Sequence, residues 1–501
     1  MKKFISLSLL LMGCIALRAE IKTPAVIGEH MVLQRNTQAH IWGWSSPNSH
    51  MTAETSWNNK LYSMTADAEG RWDFAIETGD ATFTPQTITI CEYKPSEYRA
   101  GRSSIRYQSE LQLFDRITIG DVLVGEVWLA AGQSNMEMPL KGFADAPVLG
   151  GTADATSALR DNPGVRMMTV EKGQKMEPQN DCRGEWTDAR FPNPMNWSAT
   201  AYYFASALSQ SLQIPVGIVT VAYGGSKVES WMSRDLLKNY SDVDLKPEHI
   251  MDIKPDYLRP MMMYNAMFCP VKDYTYKGII WYQGESNVGK GPSAKEYAKR
   301  LAAMVKAWRA EIGLGDIPFL QVEIAPFVYG GDQAGYAAYL REQQCKASAM
   351  IPNSHIISTN DLVEDFEKEN IHPREKKKIG QRLYWTALNR VYGFPQVCCA
   401  GPRYKALDVK ADSCFVTFYD LQMGKNRQYD VVGFEIAGPD HVFYPAEFTQ
   451  LRWNESQVVV VTSKVKNPVA VRYCFHDFVI GNLTGGNDLP AYPFRSDSYD
   501  W

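Results

Sequence analysis

What most constrains this 501-residue chain is a rhythm in its middle. Short apolar runs at about 121–130, 214–222, 276–282, 317–324 and 355–358 alternate with stretches of helical period at 199–212, 294–312, 335–348 and 376–391. Runs of this length are strands, and strands separated by amphipathic helices form a parallel sheet flanked by those helices. The text on either side has no such rhythm. Residues 21–114 and 401–501 consist of short alternating or β-branched runs, such as Ala39 to Trp44, Thr87 to Cys91 and Gln457 to Thr462, broken by Pro, Asn and Gly. They read as β domains. The expected organisation is an α/β core at 116–400 between an N-terminal β domain at 20–115 and a C-terminal β domain at 401–501.

Residues 1–19 have the form of a secretory signal. Lys2 and Lys3 precede an apolar run of about ten residues, followed by mostly small or apolar residues up to Ala19, the expected cleavage point. The run is too short to span a bilayer, where about twenty residues are needed. Leu11-Met12-Gly13-Cys14 also has the form of a lipoprotein processing site, which makes Cys14 a candidate lipid anchor. The chain is therefore expected to be exported, either periplasmic or outer-membrane-associated or secreted, with no membrane span. Eight further cysteines contain no C-x-x-C pair, so they read as small buried hydrophobes rather than a zinc site. With 52 basic and 56 acidic residues the net charge is −4, which argues against a nucleic-acid partner.

Ligands of open parallel sheets bind beyond the carboxyl ends of the strands. Those ends carry Gly132-Gln133-Ser134-Asn135-Met136, Tyr223-Gly224-Gly225-Ser226, Gln283-Gly284-Glu285-Ser286-Asn287, Asn360-Asp361 and Glu369-Asn370-Ile371-His372-Pro373. Glycines, hydroxyls, amides, carboxyls and one imidazole are what a hydrolase with an activated serine requires. Ser134 is the best nucleophile, because a strand-to-helix turn offers it backbone N–H groups; Ser226 and Ser286 are its rivals. His372 is the best base among eight histidines. Glu369, three residues before it, and Asp361, at a strand end, are both candidates for the acid that orients the ring. Tyr223, Trp231 and Tyr282 lie near these motifs and are candidate sugar-stacking residues.

The three core motifs, with Glu29 to Arg35, Val124 to Trp128 and Leu489 to Arg495, resemble the signature blocks of the sialate O-acetylesterase family, within the SGNH (GDSL-like) hydrolases. The resemblance covers most of the chain after the leader. It implies a flavodoxin-like α/β core, β domains around it, and serine-dependent hydrolysis of O-acetyl esters on sialic acids, with an O-acetylated sialic acid or its glycan as substrate and no metal or organic cofactor. By position it implies Ser134 as nucleophile, His372 as base, and an oxyanion hole of the Ser134 and Gly225 N–H groups with the Gln283 side chain, Glu285 giving structural support. One departure stands out: such enzymes commonly place Asp three residues before the histidine, and Glu369 stands here. An acetylxylan-type polysaccharide acetylesterase would use the same nucleophile, and a non-catalytic carbohydrate-binding protein would leave the core inactive.

Overall fold

The computed structural model describes residues 20–95, 111–331, 334–421 and 430–499. The leader, its cleavage point and Cys14 lie outside the described residues. Among the described residues no helix is long and apolar enough to cross a membrane, and all eight cysteines are unpaired.

The central element is one long strand, β1 (Leu111–Gly132). Its first half is partly exposed and pairs antiparallel with Thr82–Pro95; its second half is buried and lies at the centre of the parallel sheet. That sheet is completed by β2 (Val165–Thr169), β3 (Trp186–Asp188), β4 (Val216–Ala222), β5 (Gly278–Tyr282), β6 (Phe319–Val322) and β7 (Ser354–Ile357). The order across it is β7-β6-β5-β1-β4-β2-β3. All neighbours are parallel except the short edge strand β3, which runs antiparallel to β2. β4 and β5 are buried at every position, as strands covered on both faces must be.

Six helices matter for the site: α1 (Ser134–Glu137), α2 (Gly151–Asp161), α3 (Ala199–Leu212), α4 (Tyr297–Ile312), α5 (Tyr336–Met350) and α6 (Lys377–Arg390). On one face Phe204 and Leu208 of α3 join Ile379 and Leu383 of α6 in one cluster with Trp128 and Ile280. On the other face α4 contributes Leu301, Met304 and Trp308 to a cluster that holds Leu129, Trp281 and Phe319. The alternating inward and outward residues of each strand thus reach two separate cores.

The N-terminal region adds a two-stranded antiparallel sheet of Gln38–Trp44 with Arg71–Glu77, and strands His50–Thr55 and Leu61–Thr65 on the sheet that begins β1. Val32–Gln34 runs parallel to Leu123–Gly125, so the Met31 to Arg35 motif is a docking strand. Arg35 pairs with Glu126 there at 2.6 Å. Nearby, His30 Nδ1 meets Asp121 at 2.6 Å, and the Arg166 guanidinium lies within 3.1 Å of Asp121 and 3.9 Å of Asp188. The positive charge that these carboxylates need is supplied by that arginine. The C-terminal region packs two four-stranded antiparallel sheets around Val416, Phe418, Phe434, Ile436, Val458 and Phe494.

Candidate active site

β1 is the first strand of the parallel sheet, and later strands are laid down on both sides of it, β4 on one and β5 on the other. The loops that leave β1, β4 and β5 at their carboxyl ends therefore diverge around one crevice, the topological switch point at which doubly wound sheets bind ligands. The Ser134, Gly225 and Gln283 motifs are those three loops.

Gly132 makes the turn into the serine. Its φ is +147°, and a Cβ there would lie 2.1 Å from the Tyr282 carbonyl oxygen, so only glycine allows β1 and β5 this close an approach. Gln133 N–H then donates to that same carbonyl at 3.0 Å. Ser134 opens the single turn of α1 and is half-buried. Gly224 packs against it: a Cβ at Gly224 would touch the Ser134 Cβ at 3.4 Å. Gly224 N–H is taken by Glu137 at 2.7 Å, and Glu137 is held in turn by Lys172 at 2.6 Å. The N–H groups of Ser134 and Gly225, in contrast, have no acceptor among the described residues. Two backbone donors left open beside a hydroxyl can receive an oxyanion.

Gln283 is turned the other way. It is fully buried, and its amide nitrogen lies within hydrogen-bond reach of Asn287 Oδ1 (2.7 Å), Ser226 O (3.0 Å) and Gln133 Oε1 (3.1 Å). Its two N–H groups meet three protein acceptors, so this side chain braces the loops rather than facing the crevice. Gln133 Oε1 also receives the N–H groups of Gly284 (3.3 Å) and Ser286 (3.4 Å). Ser226 is sealed, its hydroxyl accepting from Trp231 Nε1 at 2.9 Å, and Ser286 is half-buried on the β5 loop.

The histidine arrives through side chains. Asn135, next to Ser134, donates from Nδ2 to the Ile371 carbonyl (3.0 Å), next to His372, and to Glu285 Oε1 (2.5 Å). Its Oδ1 accepts from Lys376 Nζ at 2.6 Å. One amide thus ties the nucleophile turn, the β5 loop and the histidine loop together. Glu285 and Lys376 are both buried, and Glu285 Oε2 has no hydrogen-bond partner among the described residues. Burial pulls Lys376 down to about 7 and pushes Glu285 up, each opposed by its neighbours. His372 itself is half-buried, with Phe143 edge-on at 5.1 Å. Burial, then the Lys376 charge, lowers its pKa to about 4, with Asp145 pulling the other way. The ring is therefore a neutral base at ordinary pH. No hydrogen bond joins it to Ser134 among the described residues, as is common before substrate binds.

Neither expected acid touches the ring. Asp361 is committed to Arg382 through two bonds of 2.7 Å, and Glu369 is exposed, with no ion pair or hydrogen bond to its carboxylate among the described residues. Of the aromatic residues, Trp231 and Tyr282 are fully buried, Trp231 against Trp281 and Trp308, so neither presents a face to a sugar. Tyr223 is half-buried at the rim, its hydroxyl receiving Gln174 Nε2 at 2.9 Å. The aromatic residue that sequence reasoning missed is Tyr257. Its ring covers Gly225, where a Cβ would lie 2.5 Å from it, yet it stays 36% exposed. Nothing local marks it, for it comes from a different loop. Asn135 and Lys376 were also missed; Asn135 stood in the motif, but its partners are 150 to 241 residues away.

Known proteins share the sequence and the fold of this chain. The family described as "Carbohydrate esterase, sialic acid-specific acetylesterase" matches residues 124–389. A carbohydrate acetylesterase from Xanthomonas citri, known from its crystal structure, is 31% identical and superposes with a TM-score of 0.81, covering 96% of this chain and all of that one. The sialate O-acetylesterase of Homo sapiens is 25% identical over 481 residues, 90% of this chain and 86% of that one. That of Mus musculus is 24% identical over 462 residues, 81% of each.

Proposed function

The chain belongs to the sialic acid-specific acetylesterase family of carbohydrate esterases, and from that premise we propose that it hydrolyses O-acetyl esters of sialic acids with Ser134 as nucleophile and His372 as base. The observation that carries this reading is the pair of open N–H groups, Ser134 and Gly225, at the switch point, beside a serine whose neighbour is bonded to the histidine loop.

His372, neutral and half-buried, takes the Ser134 proton as the hydroxyl oxygen attacks the acetyl carbonyl. The tetrahedral oxyanion is received by the N–H groups of Ser134 and Gly225; a donor of this kind contributes about 3–4 kcal/mol when aimed at the developing charge. The C–O bond to the sugar breaks, and the sugar alcohol leaves with the proton from His372. Water then attacks the acetyl-serine, gives its proton to His372, and acetate and free serine are restored. Burial strengthens each of these interactions by excluding water. Every proton that the serine loses returns through one imidazole, so the scheme balances without a metal or organic cofactor.

The leader sequence supports export, with Cys14 as a candidate lipid attachment point. The first test is acetate release from O-acetylated sialic acid, beside Ser134→Ala of verified fold. The expected result is activity in the wild type and a loss of at least about a thousandfold in the variant. Activity on acetylated xylan but not on sialate would replace the sugar and keep the chemistry. Full activity of Ser134→Ala would overturn the nucleophile, with Ser286 next.

A further inference from the structure

A second concavity lies along the same carboxyl edge of the sheet. It encloses about 160 Å³, and its walls include Lys290, Lys295, Tyr336, Tyr339, Arg495 and Tyr499. Lys290 follows the β5 motif, Tyr336 opens α5 after β6, and Arg495 and Tyr499 come from the end of the C-terminal β region. β5 and β6 are the next two strands beyond β1. At about 4.8 Å per strand, their loops begin about 5 and 10 Å along the sheet from the nucleophile turn. Gly289, which also lines the cavity, is three residues from Ser286, or at most about 11 Å of chain. Ser286 N–H itself reaches Gln133, the neighbour of Ser134.

One wall is fixed. Arg495 faces Glu342 of α5 through Nε and Nη2, both at 3.1 Å, and its Nη1 donates to the Tyr499 carbonyl at 2.6 Å. Tyr499 stacks on His441 at 3.9 Å. The Arg495 charge is thereby neutralised, and its work is to hold the chain end against the core. The opposite wall carries charge that is not spent. Lys290 Nζ stands 5.3 Å over the Tyr336 ring, and neither Lys290 nor Lys295 has a carboxylate partner among the described residues. Two ammonium groups without a carboxylate partner, at the mouth of one concavity, suit an anionic sugar whose carboxylate they read.

We propose that this crevice is an anion-reading subsite, in which Lys290 and Lys295 hold the carboxylate of a sialic acid whose ester lies at Ser134. The inference rests on the sialate reading above; of the lysines nearer Ser134, Lys227 is half-buried on the β4 loop, and two others are already engaged. Lys376 is buried behind Asn135, and Lys172 is taken by Glu137.

The test uses binding rather than sialate turnover. Free N-acetylneuraminic acid should inhibit hydrolysis of a neutral aryl acetate, and its inhibition constant should rise at least tenfold in the K290Q/K295Q double variant. The same change at Lys306, exposed on α4, should leave inhibition as it is. The methyl ester of the sugar, which lacks the charge, should inhibit both proteins weakly and alike. Equal inhibition of wild type and double variant, or none of the wild type, would overturn the subsite. Acetate release from O-acetylated sialic acid is read in parallel. Absence of release with lysine-dependent inhibition breaks the proposed substrate and keeps the subsite; release with lysine-independent inhibition does the reverse.

Discussion

Ser134 is placed by main chain. A central strand ends in a glycine that touches the next strand's carbonyl, a backbone bond follows at once, and the open N–H groups belong to the β1 and β4 turns. His372 is placed by side chains. Its loop is anchored by the Asn135 bond to Ile371, by Lys376 on Asn135, and by the contact with Phe143. The nucleophile end can therefore be lost only by disturbing strand register, whereas the histidine end can be shifted by one side-chain change. The contrast suits the roles: the oxyanion donors must be fixed before charge develops, while the base must move its proton between two oxygens.

The sharpest way to break the comparison is at the main-chain end. Gly132→Ala puts a Cβ 2.1 Å from the Tyr282 oxygen at a φ of +147°. Strained φ alone costs about 1–3 kcal/mol, and the overlap must push the central strands β1 and β5 apart, so the expected total exceeds about 3 kcal/mol. Chemical denaturation should show it, together with loss of soluble protein. A variant as stable as the wild type would mean that β1 and β5 are not held as described.

At the other end, Asn135→Ala removes the amide shared by Ile371, Glu285 and Lys376. It leaves a buried ammonium without its acceptor, at a cost of at least about 1–3 kcal/mol. The catalytic consequence should be separable from the stability loss. Displacing a catalytic group by about 1 Å can cost a hundredfold, so kcat should fall by about that factor with KM little changed. A matched fall in kcat and folded fraction would instead make Asn135 merely structural.

The same division explains what the sequence made legible. Strands read as strands because β4 and β5 are almost wholly apolar, and a strand end is fixed by the strand, so the serine and glycine motifs could be placed from text alone. The text near residue 115 suggested a change of domain, and there β1 runs on from Leu111 to Gly132. A strand can change partners without changing conformation, so nothing local announces the exchange. Side-chain direction was not legible either. Gln283 and Tyr282 lie where their motif puts them, yet both point into the core. The bond from Lys376 to Asn135 joins residues 241 apart, and no periodicity carries that information.

pH sharpens the comparison at the base. With His372 held near about 4, kcat/KM should stay level from pH 7 to about 5 and halve near about 4. Over that limb Lys376 is protonated, because its own pKa is about 7. Lys376→Met deletes a cation that disfavours the imidazolium, so the half-point should move up; Asp145, which opposes Lys376, would assist the rise. The linkage has the matching sign. Unfolded histidine binds its proton from about pH 6.5, native His372 only from about 4, so the folded state loses stability as pH falls through that window. An unmoved half-point in Lys376→Met would detach Lys376 from the base.

The smallest effects belong to the carboxylates. Asp361→Asn weakens the two bonds to Arg382, whose side chain is 6% exposed, and should cost about 1–2 kcal/mol while kcat stays within about threefold. Glu369→Gln alters an exposed group without a partner, and should leave stability within about 0.5 kcal/mol and kcat within about twofold. The two outcomes discriminate between a histidine positioned by its loop and one positioned by an acid. If Glu369→Gln cuts kcat a hundredfold, the loop closes on substrate and brings Glu369 to the ring, and the histidine end is assembled during turnover. If both variants stay active, an imidazole held by burial, Phe143 and the Asn135 bond is base enough, and a glutamate can stand where related hydrolases commonly keep an aspartate.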